Sequence, residues 1–315
     1  MDHGNKIATV TLNPAIDQTV SIPGFAAGKV NRVQHSQSDP GGKGVNVASV
    51  LADYGFSTAV TGFLGEDNPM LFERLFARKQ IQDRFVRIAG STRIGIKISN
   101  EVDQETTDIN FPGQAPTATD VASLLLIVEE LAADWPWFVL AGSIPAGCPP
   151  DVYAQLVQSI KQRGRKVALD TSGQALRLAL PAVPTLVKPN IDELQELVGR
   201  PLATQDEVIA AARTWLATGI ETVVVSMGAD GAIFVEAGQV ILARPPHVAV
   251  KSTVGAGDAM VSGIVAGKAL GYPLDECARL ATAFSVAVIT RVGSGLPPLD
   301  VVEAFKNQVV VQKLQ

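Results

Sequence analysis

Three stretches of this chain combine residue types that do chemistry with the spacing that would let them act together. Thr253-Val254-Gly255-Ala256-Gly257-Asp258 follows Val248-Ala249-Val250, read as extended, and precedes Ala259 to Gly267, an apolar run of helical length. Gly255 and Gly257 let the backbone turn tightly and leave amides uncovered. The helix N-terminus adds its positive dipole end, so the turn should bind an anion. A carboxylate at Asp258 gains from that dipole, stays ionised near neutral pH and can take a proton from a hydroxyl. It can also simply cap the helix, and the glycine run in front of it is what favours the base. Gly41-Gly42-Lys43-Gly44 opens a second helix, with Val47, Val50, Leu51 and Tyr54 at helical spacing and Gly55 as its stop. No Ser or Thr follows the lysine, so this is not a P-loop. Either its glycines admit a ligand to the backbone, with Asn46 bonding hydroxyls, or it is a helix start with a solvated lysine. Asn190-Ile191-Asp192-Glu193 has the spacing of a capping box, and on spacing alone the cap wins. The alternative is that Asn190 and Glu193 hold a hydrated Mg²⁺ through oxygen ligands.

The elements that must position these residues follow from hydrophobic period. From about residue 120 onward, helix-period stretches alternate with short β-branched runs such as Trp137 to Leu140, Lys166 to Leu169, Pro184 to Val187 and Thr222 to Val225. That alternation predicts an α/β fold, with right-handed crossovers and a mostly parallel sheet covered on both faces. Ligands bind beyond the carboxyl ends of such strands. Ala141-Gly142-Ser143, Asp170-Thr171-Ser172, Lys188-Pro189-Asn190 and Ser226-Met227-Gly228 each close one of the runs. Four small polar clusters on one edge point to a site; Ser226 and Gly228 border a nucleotide there, or else make an ordinary turn. Residues 17–36 and 91–111 lack a helical period. In the second, Arg93, Gly95 and Lys97 alternate with Ile94, Ile96 and Ile98, giving one basic and one apolar strand face. We expect these two segments to form a small β lid, its apolar face packed on the body or on a second subunit. The α/β body is then 1–16, 37–90 and 112–315.

Composition narrows the classes further. The 315 residues are 47% hydrophobic and 18% charged, enough for a large core, and the net charge of −5 speaks against nucleic acid or a polybasic membrane contact. The opening Met1 to Lys6 runs into strand-like Ile7 to Leu12 without an apolar signal core, which predicts a cytoplasmic protein. Cys148 and Cys277 form no paired motif, and His3, His35 and His247 form no cluster. Hydrolase triads and zinc sites are therefore poor readings, and so is a dinucleotide site, because no G-x-G-x-x-G follows the first strand.

Taken together, Thr11-Leu12-Asn13-Pro14-Ala15-Ile16-Asp17, Gly41 to Asn46 and Ser252 to Asp258 resemble the PfkB family of carbohydrate kinases, within the ribokinase superfamily. The resemblance spans nearly the whole chain. It implies a ribokinase-like fold, a mostly parallel, Rossmann-like sheet flanked by helices with a small β-sheet lid. It also implies Asp258 as catalytic base, the Gly255, Ala256 and Gly257 amides as anion hole, and Asn190 with Glu193 as the motif acting on Mg²⁺ and phosphate. The implied nucleotide contacts are Lys188, Asn190, Ser226, Gly228, Gly231, Thr253, Gly255 and Gly257. The cofactors are ATP and Mg²⁺, a monovalent cation being left open. Asn-Pro-Ala-x-Asp, the lysine of Gly-Gly-Lys-Gly, Thr92-Arg93-Ile94 and Thr107 to Phe111 look most like the branch that phosphorylates fructose 1-phosphate. Kinases of tagatose 6-phosphate and fructose 6-phosphate are close relatives, and a non-catalytic sugar-phosphate sensor is the remote alternative. That likeness places Asp17, Gly41, Gly42, Lys43, Asn46, Arg93 and Ser143 on the sugar phosphate, with Arg93 as the two-pronged phosphate clamp. Lys97 lies about 13 Å farther along the same strand face. Lys29, in the first lid segment, is expected to act across a homodimer interface formed by the lid. Arg291 stands where related kinases would carry a smaller polar residue near the nucleotide.

Overall fold

The computed structural model describes residues 5–100, 102, 105–291, 293 and 295–315. In chain order come β1 (Lys6–Thr11), β2 (Ala15–Ser21), β3 (His35–Gly41), α1 (Lys43–Asp53), β4 (Ser57–Gly65), α2 (Met70–Lys79), β5 (Gln82–Asp83), β6 (Val86–Ile88), β7 (Arg93–Asn100) and β8 (Glu105–Asn110). Then follow α3 (Ala118–Asp134), β9 (Trp137–Ala141), α4 (Val152–Gln162), β10 (Lys166–Asp170), α5 (Gly173–Ala179), β11 (Leu186–Val187), α6 (Ile191–Val198) and α7 (Gln205–Leu216). The chain ends with β12 (Thr222–Ser226), β13 (Ala232–Glu236), β14 (Gln239–Arg244), α8 (Ala256–Ala269), α9 (Leu274–Ile289), α10 (Leu299–Lys306) and β15 (Val310–Lys313).

The large sheet runs β15-β14-β13-β12-β11-β10-β9-β1-β4-β5, with β6 also beside β4. Strands from β12 to β5 are parallel, and β13, β14 and β15 add an antiparallel edge. Its central strands are apolar on both faces because helices cover both. Phe138 and Leu140 of β9 join one core with α3, α4 and α7, while Trp137, Val139 and Ala141 join the other with α1, α8 and α9. In this order β12, β11, β10 and β9 are neighbours, so the four polar clusters of the sequence stand side by side at their carboxyl ends.

The second sheet has the order β3-β2-β7-β8, with β2 and β7 parallel and the outer pairs antiparallel. The span 17–36 holds most of β2, and 91–111 holds β7 and β8, while β3 runs past residue 36 to Gly41. Strand alternation separates its two faces. Asp17, Asp39, Lys97 and Asp108 share a register on one face; Ile16, Ile94, Ile96 and Ile109 share the other. On the apolar face Val20, Ile22 and Ile98 are buried, with Phe25 and Ile96 packed against them, while Ile94, Ile109 and the adjoining Phe111 stay exposed.

Among the described residues Val248-Ala249-Val250 belongs to no strand. Pro245 and Pro246 just before it cannot donate to a ladder, and pairing resumes only where Lys251 and Ser252 donate to the Ile289 carbonyl. No described helix is long and apolar enough to cross a membrane.

Candidate active site

Asp258 is the third residue of α8, whose cap is Gly255 in the left-handed region at φ 80°. Its side chain makes no capping bond to the helix start. Instead the carboxylate is buried, 6% exposed, and Oδ2 accepts a hydrogen bond from Asn46 Nδ2 at 2.8 Å. The helix dipole favours its charged form. Burial, and next the charge of Asp170, push its pKa up to about 6, against the opposing pull of Lys43, Asn46 and Lys188. At neutral pH roughly nine-tenths of it is still ionised, so it is a usable base of tuned strength. In front of it the first-turn amides lack helical acceptors, and that of Ala256 reaches only the Thr253 carbonyl, at 3.4 Å.

The floor of the site is a charge cluster that spacing could not show. Asp170, the last residue of β10, is 1% exposed and lies between Lys43 Nζ at 3.3 Å and Lys188 Nζ at 3.4 Å. Burial works to raise the Asp170 carboxyl, but Lys188 and Lys43 outweigh it and hold it below the usual carboxylate range. Lys43 is held protonated: burial opposes its charge, and Asp170, Asp258 and Glu193 outweigh that. Lys188 also reaches the anion loop, since a Cβ at Gly257 would lie 3.7 Å from its ammonium. Lys43 is thus a paired cation, although its side chain stays 40% exposed. In sequence the cluster Asp170-Thr171-Ser172 marked this edge of the sheet without giving Asp170 a role of its own. The signal for it was an acid closing a strand as apolar as Val167-Ala168-Leu169, which demands a buried counter-charge.

Around this floor the predicted residues fall into three groups. Asn46, Asp17, Lys97, Thr253, Gly255 and Arg291 line a crevice of about 340 Å³ between the lid's polar face and the body. Asp17 is tucked against Gly41, and Lys97 Nζ faces it at 3.6 Å and Asp108 at 3.8 Å. Burial raises the Asp17 carboxyl, with Lys97 and Arg93 opposing. Arg93 lies nearer Asn13 and Gly113, in a smaller cleft. Its guanidinium makes only long bonds, 3.4 Å to the Asn13 carbonyl and 3.5 Å to that of Phe111, and Nε has no partner among the described residues. An under-satisfied, half-buried cation of this kind is suited to a bidentate anion. Ser143 accepts from Asn13 Nδ2 at 3.1 Å, and its neighbour Gly142 adjoins Lys43; Gly42 caps α1.

A third group sits one strand over. The capping box at Asn190 forms fully, with Glu193 N donating to Asn190 Oδ1 at 2.8 Å and Asn190 N to Glu193 Oε2 at 2.9 Å. Ser226 bridges Asn190, and the Met227 amide donates to the Gly231 carbonyl to close a turn through Gly228. Lys29 is exposed. Among the described residues no three acidic, His or Cys side chains form a closed metal cage. The box leaves Glu193 Oε1 available, and one carboxylate with water and phosphate oxygens is the donor set Mg²⁺ prefers. A larger hollow of about 550 Å³ lies at the opposite, amino ends of β9, β10 and β12. Its charges pair with one another, Lys166 with Glu221 and Lys268 with Glu236, and leave none to receive a ligand.

A tuned buried carboxylate, an uncovered helix start and a cationic floor under a sheet lid belong to an enzyme that moves phosphoryl groups onto a small-molecule hydroxyl. The model of the pfkB family carbohydrate kinases matches residues 10–300, and the chain belongs to that family. It is similar to the 1-phosphofructokinase of Rhodobacter capsulatus, 47% identical over 98% of both chains, and to that of Vibrio cholerae, 41% identical over 98% of this chain and 97% of the other. Among solved structures, Escherichia coli phosphofructokinase-2 in complex with fructose-6-phosphate matches at TM-score 0.88 and 30% identity, over 96% of this chain and 98% of that one. The same protein has been solved in complex with potassium and in a tetrameric inhibited form. This chain is accordingly a sugar kinase with the ribokinase-like fold.

Proposed function

We propose that the chain transfers the γ-phosphoryl group of ATP to the free primary hydroxyl of fructose 1-phosphate, giving fructose 1,6-bisphosphate. The observation that carries this reading is Asp258, buried at the anion loop, held by Asn46 and poised near pH 6. The likeness to relatives named 1-phosphofructokinase supports the choice of acceptor.

In this reading Asp258 accepts the hydroxyl proton as the oxygen attacks in line. The Gly255 to Gly257 turn and Lys188 meet the charge that builds on the transferred group. Asp17, Gly41, Gly42, Asn46 and Ser143 orient the sugar, and Arg93 grips its phosphate, with Lys43 adding positive charge from the floor. Ser226, Gly228, Gly231 and Thr253 border the nucleotide. Asn190 and Glu193 would hold Mg²⁺, which neutralises phosphate charge when bound. The lid's polar face shuts water out of the crevice and so limits ATP hydrolysis. Its exposed Ile94, Ile109 and Phe111 are covered by the lid of a second copy, which brings Lys29 to the partner's site. A monovalent cation near the nucleotide is supported only by the potassium complex of the Escherichia coli protein. The place of action is the cytoplasm.

Steady-state rates of the purified chain on fructose 1-phosphate, tagatose 6-phosphate and fructose 6-phosphate test the choice of acceptor. The expected order puts fructose 1-phosphate first in kcat/KM by at least about tenfold. Preference for either 6-phosphate reassigns the substrate, and absence of ADP production on all three leaves only the sensor.

A further inference from the structure

Behind the crevice, a cluster made by none of the reacting groups ties two walls of the site together. Lys79, the last residue of α2, donates to Asp53 Oδ2 at 2.6 Å and to Ser49 Oγ at 2.7 Å on α1. The same Asp53 Oδ2 accepts from the Leu296 amide at 2.8 Å. Arg291 closes the segment on itself, its Nη1 donating to the Leu296 carbonyl at 2.8 Å. Both backbone groups of Leu296 are therefore held by side chains. Gly295 shows how tightly the pieces meet: at φ 108° it is open to glycine alone, and an added Cβ would fall 2.4 Å from Asp53 Oδ2 and 2.5 Å from Lys79 Nζ.

What this cluster joins gives it a role. α1 begins with Lys43 and Asn46, the groups that hold Asp170 and Asp258. Arg291, Gly293 and Gly295 line the crevice opposite the lid, next to Thr253 and Gly255. Just before that segment, the Ile289 carbonyl receives Lys251 N and Ser252 N, at the root of the anion loop. An exposed ion pair contributes little, whereas removing one partner of a buried, hydrogen-bonded pair leaves the other charge uncompensated. The Lys79 side chain is 12% exposed and that of Asp53 24%. Burial pulls the Lys79 ammonium below its usual range, with Asp53 opposing, so this site holds a cation against its desolvation cost. We propose that Asp53 and Lys79 are positioning residues that clamp Arg291, Gly295 and Leu296 to α1 and thereby set the fit of the nucleotide, leaving the chemical step alone. Arg291 then has its account as the staple of that wall, in place of the smaller residue expected there. The inference rests on the reading that the nucleotide enters this crevice beside Thr253 and Gly255, with the sugar held by Asp17 and Asn46.

The test uses the full chain and ADP as probe. In Lys79→Met, ADP affinity by titration calorimetry and KM for ATP should each worsen about tenfold, a change of about 1.4 kcal/mol. The KM for fructose 1-phosphate and kcat should stay within about twofold, and Lys79→Arg should restore most of the loss. Asp53→Asn keeps an acceptor for the Leu296 amide and removes the charge; its expected loss is about threefold, and it decides the matter if Lys79→Met does not fold. Unchanged ADP affinity in a folded variant overturns the clamp, as does a fall in kcat that Lys79→Arg fails to rescue. Val254→Trp, at the mouth of the crevice, separates the two claims. If it blocks ADP while the clamp variants bind normally, only the clamp fails; if ADP binds undisturbed, the nucleotide lies elsewhere and the placement fails with it.

Discussion

Replacing Gly44 by Ala sets helix propensity against site geometry. Gly44 is the second residue of α1, and inside a helix Ala is favoured over Gly by about 1 kcal/mol. Here the new Cβ would lie 2.3 Å from Thr11 Oγ1 and 2.7 Å from the Val10 carbonyl. Neither can yield easily, because β1 is paired on both sides, with β4 and β9. Ordinary contact begins near 3.4 Å, so the start of α1 has to retreat by about 1 Å. Overpacking of this kind costs about 1–3 kcal/mol, which outweighs the propensity gain and leaves a net loss of up to about 2 kcal/mol. Lys43 and Asn46 move with the helix, and a displacement of that size at a reacting centre costs about 100-fold in rate. Urea unfolding should show a lower midpoint with unchanged slope, and kcat should fall about 100-fold. A stabilised variant with kcat within about twofold of the parent would refute the packing argument.

Asp258 must be ionised to act, and its carboxyl is raised to about 6, so kcat/KM should fall as pH drops through 6, about tenfold per unit below it; a limb nearer 4 would mean the carboxyl is not desolvated. Arg93→Lys keeps the charge but loses the fork, so KM for fructose 1-phosphate should rise about tenfold with kcat and KM for ATP little changed; an equal effect on ATP would move Arg93 out of the sugar subsite.

Much of the site was legible because its chemistry coincides with local backbone signals. The glycine turn before Asp258, the helix start at Gly41 and the polar ends of β9 to β12 are each encoded within a few residues. The alternation Arg93 to Ile98 likewise separated the two faces of a lid strand. What could not be read depends on contacts distant in sequence. Asp170 and Lys43 are 127 positions apart, and only the order β10-β9-β1 with α1 over it brings them together. The raised carboxyl of Asp258 is of the same kind: the dipole argument was local, whereas burial and the charge of Asp170 are not. That the extended run Val248-Ala249-Val250 joins no sheet is a plainer case, since Pro245 and Pro246 just before it cannot donate to a ladder. Arg291 looked out of place in sequence because its partner, the Leu296 carbonyl, is a backbone group that spacing does not reveal.

The central claim is that Asp258 is the base that activates the sugar hydroxyl. Its most direct test is Asp258→Asn, measured for turnover of fructose 1-phosphate with ATP alongside calorimetric binding of the sugar phosphate. Asn retains the shape and the bond with Asn46 but cannot accept the proton. Turnover should fall by about 100-fold to 10,000-fold, the range of general-base catalysis, with sugar-phosphate affinity within about threefold of the parent. Near-normal turnover with intact binding would contradict the assignment.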